Sequence, residues 1–294
     1  MKTAVLVPII GVLVLIISLA CIWFSPSVQD FMAANQMWNG VSRFNRDYGA
    51  ANVNSLESAQ LPDAGTLVAI PYLDYSATEL EAIRSFVDHG GTLLLMDDFG
   101  YGNTVLEYLG VQARFSHQPL LDPLFCYKNP ALPLITDFTT ALPGVNEVLM
   151  NHASTLLSVP EEAVVARSSS SSYLDLNGNS VYDEGEPKGP FVVAAKLKVG
   201  DGTVALVSDP STAINSMVDK FDNRAFISDL STNAGEGPFV FDSSHLAKAP
   251  LDVSKTKMTS IRNWLASPYV VVVITAVVFA LAGVAMNKGG ILEH

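Results

Sequence analysis

The sequence predicts an α/β domain with a β-rich insertion, held between two membrane-spanning helices. Three features predict it. Uncharged apolar stretches occupy residues 4–24 and 269–286, short continuous apolar runs alternate with a helix-length segment near residues 66–96, and the middle of the chain is rich in Pro and Ser. Each apolar stretch has about the 17–25 residues that a helix needs to cross roughly 30 Å of hydrocarbon. Neither carries an ionisable side chain of the kind that marks an ion pathway, so both read as anchors and a transporter is disfavoured.

Orientation follows from the basic flanks, since cytoplasmic ends favour Lys and Arg. Lys2 and Lys288 lie at the outer ends of the two stretches. The expected organisation is a spanning helix over 1–24, an extracytoplasmic domain over 25–267, a second span over 268–287 and a cytoplasmic tail over 288–294. Both termini are then cytoplasmic in a two-pass protein of the cell membrane. Lys255, Lys257 and Arg262 before the second span work against this bias. A cleaved secretory signal shares the anatomy of the first stretch, and Ser18-Leu19-Ala20-Cys21 has an outline of a lipobox. The apolar run continues through Ile22, Trp23 and Phe24, which favours an uncleaved helix.

A chain of 294 residues that is 49% hydrophobic supports one sizeable core between the anchors. Only Lys2, Lys288 and Glu293 of the 17 basic and 29 acidic side chains fall outside residues 25–267, which leaves that span with a balance of −13. Such acidity disfavours nucleic acid and anionic headgroups as partners and favours solubility or cations. Cys21 lies in the first apolar stretch and Cys126 is the only other cysteine, so no disulfide forms within the ectodomain.

Helical spacing of Phe31, Met37, Trp38, Val41 and Phe44 predicts a helix over 28–48. Residues 66–71 then read as a buried strand, and Ser76-Ala77-Thr78-Glu79 is a capping box that opens a helix burying Leu80, Ile83 and Val87. Gly90-Gly91 ends that helix, and residues 92–96 form the next strand, which implies a parallel, right-handed crossover. Strands are expected over 191–197 and 203–207, helices over 211–217 and 223–233, and a helix over 253–265 that returns the chain to the bilayer. The insertion spans about 119–190, where Ser168 to Ser172 reads as a flexible loop or edge.

Within the insertion, residues 175–186 place oxygen-bearing side chains at positions 1, 3, 5, 9 and 12 of a twelve-residue loop. Asp175, Asn177, Asn179, the Val181 carbonyl, Asp183 and Glu186 match the ligand spacing of an EF-hand-type calcium loop. Ser180 replaces the glycine usual at position 6, and the flanks read as strands, so the loop resembles the helix-free calcium loops of extracellular β-rich proteins. The competing reading is an Asn/Gly/Asp hairpin turn, because these residues favour turns for backbone reasons alone.

At Gly90-Gly91-Thr92-Leu93-Leu94-Leu95 and at Ser208-Asp209-Pro210-Ser211-Thr212-Ala213-Ile214-Asn215, followed by Asp222-Asn223-Arg224-Ala225-Phe226-Ile227, the chain resembles a known group. This group comprises membrane-anchored prokaryotic domains related to class I glutamine amidotransferases, including the extracytoplasmic domain of gliding-type ABC systems. The resemblance spans residues 35–230 apart from the insertion and implies a flavodoxin-like sheet flanked by helices. Catalytic members of that superfamily carry a cysteine on a strand-to-helix elbow and a later histidine. Here Asp97-Asp98-Phe99-Gly100-Tyr101-Gly102 follows the corresponding strand, Cys126 reads as a small buried residue, and His89, His117, His152 and His245 have no spacing that selects a partner. No catalytic residue is assigned.

Asp97, Asp98 and Asp209 are expected at the carboxyl ends of strands, where open α/β sheets bind ligands, with Asn215, Asp222 and Asn223 joining the rim. Caps and turn hydrogen bonds account for the same residue types equally well. The leading expectation is a noncatalytic binding or scaffold subunit, stabilised by calcium, whose partners are other membrane or envelope proteins. The alternative is an extracytoplasmic metal-assisted hydrolase acting on envelope glycan or peptide.

Overall fold

In a computed structural model that describes residues 3–59, 61–62, 65–139, 142–231 and 237–289, the chain divides into two units. One is Pro26–Ala247; the other joins Met1–Ser25 to Lys248–His294. The first unit is built on a ten-stranded mixed sheet. Five neighbouring strands are parallel, in the spatial order Ala51–Val53, Phe239–Asp242, Thr66–Ala69, Thr92–Met96, Gly202–Val207. The sheet continues with Val192–Val199, Val164–Arg167 and Asp137–Phe138, each antiparallel to its neighbour.

The expected strand–helix–strand unit is present. Thr66–Ala69 pairs in parallel with Thr92–Met96 from Thr66↔Thr92 to Ala69↔Leu95, and the helix Ala77–Asp88 connects them. Ser76 caps that helix: its hydroxyl accepts from the Glu79 amide at 3.3 Å, while the Glu79 carboxylate accepts from the Ser76 amide at 2.9 Å. Numbered along the chain, the parallel strands lie in the order 1-5-2-3-4, whereas a flavodoxin has 2-1-3-4-5. The flavodoxin-like expectation therefore reduces to a mixed α/β sheet. The extra parallel strand, Phe239–Asp242, enters between the first two from beyond the segment on which the resemblance rested.

The central strands are continuous apolar runs because both faces of the sheet are covered. On one face Leu67, Ala69, Leu93, Leu95, Val204 and Leu206 pack with Ile83, Phe86 and Val87 of the helix Ala77–Asp88. On the other, Val68, Leu94, Met96, Ala205, Val207 and Phe241 pack with Phe226, Ile227 and Leu230 of the helix Asn223–Ser231. Adjacent residues alternate between two separate cores, as the period of two in a strand requires.

Three expectations fail for identifiable reasons. The helix over 28–48 is reduced to Ser42–Tyr48, because buried Asn35 ties the preceding chain into a loop: its amide donates to the Gln29 carbonyl at 2.8 Å and its side-chain oxygen accepts from the Met37 amide at 2.8 Å. Over 211–217 only the short turn Pro210–Ala213 forms, started by Asp209 and Pro210. The serine run is pinned, since Ser168 and Ser172 are buried and bonded to each other at 2.7 Å, and Ser169 and Ser171 donate to Asp122. Within the expected β-rich insertion, Asp137–Phe138, Leu156–Leu157 and Val164–Arg167 all join the large sheet.

In the second unit, the helix Thr3–Phe24 is by itself long and apolar enough over Val7–Phe24 to cross a membrane, as an anchor or as a signal sequence. Pro250–Leu265 and Pro268–Val277 meet the same test only together, across a 71° bend. The Arg262 guanidinium lies 5.5 Å from the centre of the Trp23 ring, and the Lys255 ammonium donates to the Ser25 carbonyl. The expected tail 290–294 lies outside the described residues.

Gly202 tests the sheet packing, because a Cβ there would lie 2.1 Å from the Val87 carbonyl oxygen and 2.4 Å from that of Gly91. Backbone cannot step aside as a side-chain tip can. Gly202→Ala is expected to destabilise the chain by about 1–3 kcal/mol in chemical denaturation, whereas Gly144→Asn, at an open turn position whose left-handed φ of 75° Asn tolerates, should cost less; equal losses would contradict this packing.

Candidate functional site

The four central parallel strands release the chain at the same edge of the sheet. Asp242 ends Phe239–Asp242 and leads to His245; Tyr72 and Tyr75 follow Thr66–Ala69; Asp97 to Tyr101 follow Thr92–Met96; Asp209 follows Gly202–Val207. Parallel topology alone brings these residues, separated by up to 173 positions in the chain, into one rim.

Asp97 and Asp209 are fully enclosed and serve the loops that leave the strands. Asp97 accepts from the amides of Phe99 at 2.8 Å, Gly100 at 3.0 Å and Gly102 at 2.6 Å. Asp209 accepts from the amides of Asn151 and Ser211, both at 2.7 Å. Burial pushes the Asp209 carboxyl up to about 8, with the amides opposing it and the Asp98 charge adding to it. Burial raises Asp97 as well, against the pull of its amides.

Asp98 differs from both. Its Oδ1 is shielded from solvent and has no hydrogen-bond partner. Burial, followed by the charge of Asp97, raises this carboxyl to about 7. The loop that carries Asp98 also brings aromatic rings into contact: Tyr72 lies 5.5 Å from Phe99, 6.5 Å from Tyr101 and 5.6 Å from Phe31, measured between ring centres. Burial holds the Tyr72 phenol well above its ordinary range, and the charges that add to the shift are Asp98, Asp30, Asp97 and Asp209. All are acidic.

Asn215, Asp222 and Asn223 are placed elsewhere. Asn215 donates to the Asn35 and Met37 carbonyls and accepts from the Arg43 amide, which locks the 35–43 loop. Asp222 accepts from the amides of Asn146 and Glu147, and Asn223 bonds both the amide and the carbonyl of Leu149. These three are caps and loop ties, and the expected rim of six contracts to Asp97, Asp98 and Asp209. Cys126 is half-buried in a bridge with Pro133.

A second cluster at the rim was not foreseen. His245 Nδ1 lies 2.7 Å from Asp242 Oδ2 and its Nε2 lies 3.4 Å from Glu79 Oε2, while the Tyr75 ring stacks on the imidazole at 3.7 Å and its hydroxyl donates to Asp242. Burial works against a charged imidazole, yet Asp242 and Glu79 outweigh it and raise the His245 pKa. Conversely Asp242 is lowered, because the His245 bond overcomes its burial. The signal in the sequence was Asp242-x-x-His245 at the end of an apolar run, 237–242, that reads as a strand only once its neighbours are known.

In the 175–186 loop, Asp175 accepts from the amides of Gly178, Asn179 and Ser180, and Glu186 closes the loop by accepting from those of Leu176 and Asp183. The side-chain amides of Asn177 and Asn179 both point at Asp183 Oδ2, at 2.6 and 2.7 Å. Ser180 adopts φ 61°, the left-handed conformation for which glycine is usual at that position. Among the described residues no group of three or more His, Cys, Asp or Glu side chains is arranged to hold a metal ion. Any cation in this loop would depend on amide and carbonyl oxygens as well as carboxylates.

The two clusters give pH dependences that can be separated. The folded pKa values of Asp98 and His245 are both raised, so the folded chain binds more protons than the unfolded one and stability falls as pH rises through those values. Asp98→Asn is expected to stabilise the chain by ~1–3 kcal/mol at pH 8, by less at pH 5, and to leave it little changed only near pH 3, below the ordinary carboxyl range. His245→Gln should instead cost about 3 kcal/mol at pH 6, by leaving Asp242 buried without its partner, and less at pH 9. Thermal melts across this pH range check both, and a wild-type stability that rises from pH 6 to pH 9 would contradict them.

Comparison with solved structures gives partial likenesses at low identity. The "mmIFT52 N-terminal domain" has a TM-score of 0.45 at 17% identity, over 58% of this chain and 79% of that one. The beta-galactosidase from Bacillus circulans sp. alkalophilus has 0.36 at 14%, over 59% of this chain and 23% of that one. The exo-beta-1,4-mannosidase Op5Man5 from Opitutaceae bacterium strain TAV5 has 0.33 at 16%, over 60% and 28%. Scores of this size carry no weight for function. No curated protein matches the sequence significantly. The family described as "Domain of unknown function (DUF4350)" matches residues 37–230, a segment that contains three of the four rim-forming strands, Asp97, Asp98, Asp209 and the 175–186 loop, and the chain belongs to that family.

Proposed function

We propose that the protein is a noncatalytic, membrane-anchored binding or scaffold subunit whose main domain lies outside the cell membrane, with both termini cytoplasmic. The observation that carries this reading is the use made of the strand-end acids. Asp97 and Asp209 are both buried and bonded to five backbone amides, four in the loops that leave their own strands and that of Asn151, so both are engaged by the fold and turned away from solvent. What faces outward is aromatic: Phe99 is 58% exposed and Tyr101 41%. Exposed aromatic rings of this kind suit a binding surface.

Two apolar segments bracket the domain, and Lys2 and Lys288 flank them on the outer side, which supports the two-pass arrangement. The partners proposed are other membrane or envelope proteins. Affinity purification of the full-length chain from native membranes, in parallel with Ca²⁺ and with chelator, tests the scaffold reading. A specific membrane protein recovered in both supports it, one lost in chelator makes the 175–186 loop part of recognition, and none in either contradicts it.

Asp98 favours a second reading, an extracytoplasmic hydrolase of envelope glycan or peptide, since a carboxyl near 7 is suited to donate a proton at neutral pH. Turnover of cell-envelope glycan or peptide that Asp98→Asn abolishes would establish it over the scaffold.

Calcium is proposed at Asp175, Asn177, Asn179, the Val181 carbonyl, Asp183 and Glu186. The Asp175 and Glu186 amide bonds and the left-handed Ser180 support it by giving the loop its turn before any ion arrives. With a dissociation constant of about 0.1 mM, 10 mM Ca²⁺ would stabilise the fold by about 2.7 kcal/mol, a rise in Tm of roughly 5–10 °C. The rise should vanish in an Asp175→Ala/Glu186→Ala variant; an equal rise in that variant would remove calcium from this loop.

A further inference from the structure

We propose that the pocket between the 35–43 loop and the segment 215–220 binds an acidic sugar, a hydroxylated ring bearing a carboxylate or a phosphate. The pocket has a volume of about 410 Å³, within the range of small-molecule sites, and Gln36, Trp38, Arg43, Ser216, Asp219 and Lys220 line it. None of these residues belongs to the strand-end rim or to the 175–186 loop. The site therefore goes beyond the membrane-partner reading and does not depend on it.

Both walls are set by the fold before any ligand arrives. The Asn215 side chain donates to the Asn35 carbonyl at 3.1 Å and to the Met37 carbonyl at 2.7 Å, while the amides of Asn215 and Ser216 donate to the Gly40 and Trp38 carbonyls at 2.7 and 3.0 Å. These bonds fix the Trp38 backbone against the opposite wall, and its side chain stays on the surface, with the residue 64% exposed. A flat indole held in this way offers a face on which the C–H side of a sugar ring can lie. Its N–H, with the side chains of Gln36 and Ser216, supplies donors and acceptors for ring hydroxyls.

The charge at this pocket runs against that of the domain, whose balance over residues 25–267 is −13. Here three arginines share two acids: Arg46 lies 2.9 Å and Arg224 2.8 Å from Asp47, Arg43 lies 3.1 Å from Asp219 Oδ2, and Arg224 also bonds Asp219 Oδ1. Both oxygens of the one acid in the pocket wall are thus taken. Lys220, the next residue, is exposed and adds a fourth cation with no ion-pair partner among the described residues. An anionic ring matches this excess through Lys220 and the remaining Arg43 N–H groups, and a neutral ring leaves it unmatched.

The experiment is calorimetric titration of the full-length chain in a polyoxyethylene detergent and a low-salt Tris–chloride buffer, neither of which supplies a ring with an acidic group. The probes are glucuronate, glucose 1-phosphate, glucose and inorganic phosphate. Saturable binding of at least one acidic sugar is expected, about tenfold or more tighter than that of glucose or of phosphate, and weakened about tenfold or more in Trp38→Ala and in Lys220→Glu. Both side chains are exposed, so unchanged melting of the two variants is the folding control. Lys220→Glu keeps the test decisive if Trp38→Ala melts early. Tighter binding of glucuronate would assign a carboxylate-bearing sugar, and tighter binding of glucose 1-phosphate a phosphorylated one; either supports the site.

No saturable binding of either acidic sugar would overturn the proposal. So would equal affinity for glucose, equal affinity for inorganic phosphate, or undiminished affinity in Lys220→Glu. Such a failure would still allow a co-purifying partner to be found in the membrane experiment. A positive titration with no partner would keep the site and discard the scaffold.

Discussion

The aspartates at the carboxyl ends of the parallel strands hold the rest of this structure in place. Each central strand is buried on both faces and must hand its chain to a loop whose first amides have lost their ladder partners. Asp97 takes three of those amides, Asp209 takes that of Ser211 together with the Asn151 amide from a separate segment, and Asp242 takes the Ser244 amide and hydroxyl. Short acidic side chains at this edge thereby decide where the loops go. The path of the 97–102 loop, and so the position of Phe99 and Tyr101, follows from a carboxylate that never reaches the surface.

Gathering acids in one low-dielectric edge has an electrostatic cost, which the protein meets in two ways. At Asp242 a basic partner is built in: His245 bonds it and reaches Glu79, the residue that also caps the helix Ala77–Asp88. One imidazole thus links a strand end, a helix start and the Tyr75 ring. At Asp98 no such partner exists among the described residues, and the carboxyl is instead driven toward its neutral form. The same edge therefore holds a satisfied acid and an unsatisfied one. That asymmetry, more than the number of acids, distinguishes the Asp98 side of the edge from the His245 side.

Local patterns in the sequence were legible wherever a single element determined them. The capping box at Ser76, the crossover to Thr92–Met96 and the pairing of Val192–Val199 with Gly202–Val207 all follow from spacing and turn residues. The 28–48 segment misled because its apolar residues have helical spacing, yet buried Asn35 supplies loop hydrogen bonds that outcompete a helix. Asn215, Asp222 and Asn223 have the right chemistry for a rim and the wrong location, since their partners lie up to 180 residues away in the chain. His245 went unrecognised for the same reason: its significance depends on Phe239–Asp242 entering the sheet beside Thr66–Ala69, which is information about pairing that no local window contains.

The central claim is that the strand-end carboxylates serve the protein's own loop amides. Hydrogen exchange on the full-length chain, resolved to single amides, addresses it most directly. The account predicts that the amides of Phe99, Gly100, Gly102, Asn151 and Ser211 exchange slowly, as members of the core, although they lie in loops. Exchange of these amides at the rate of unprotected peptide would contradict it, and would return Asp97 and Asp209 to the pool of acids free for a metal or a substrate.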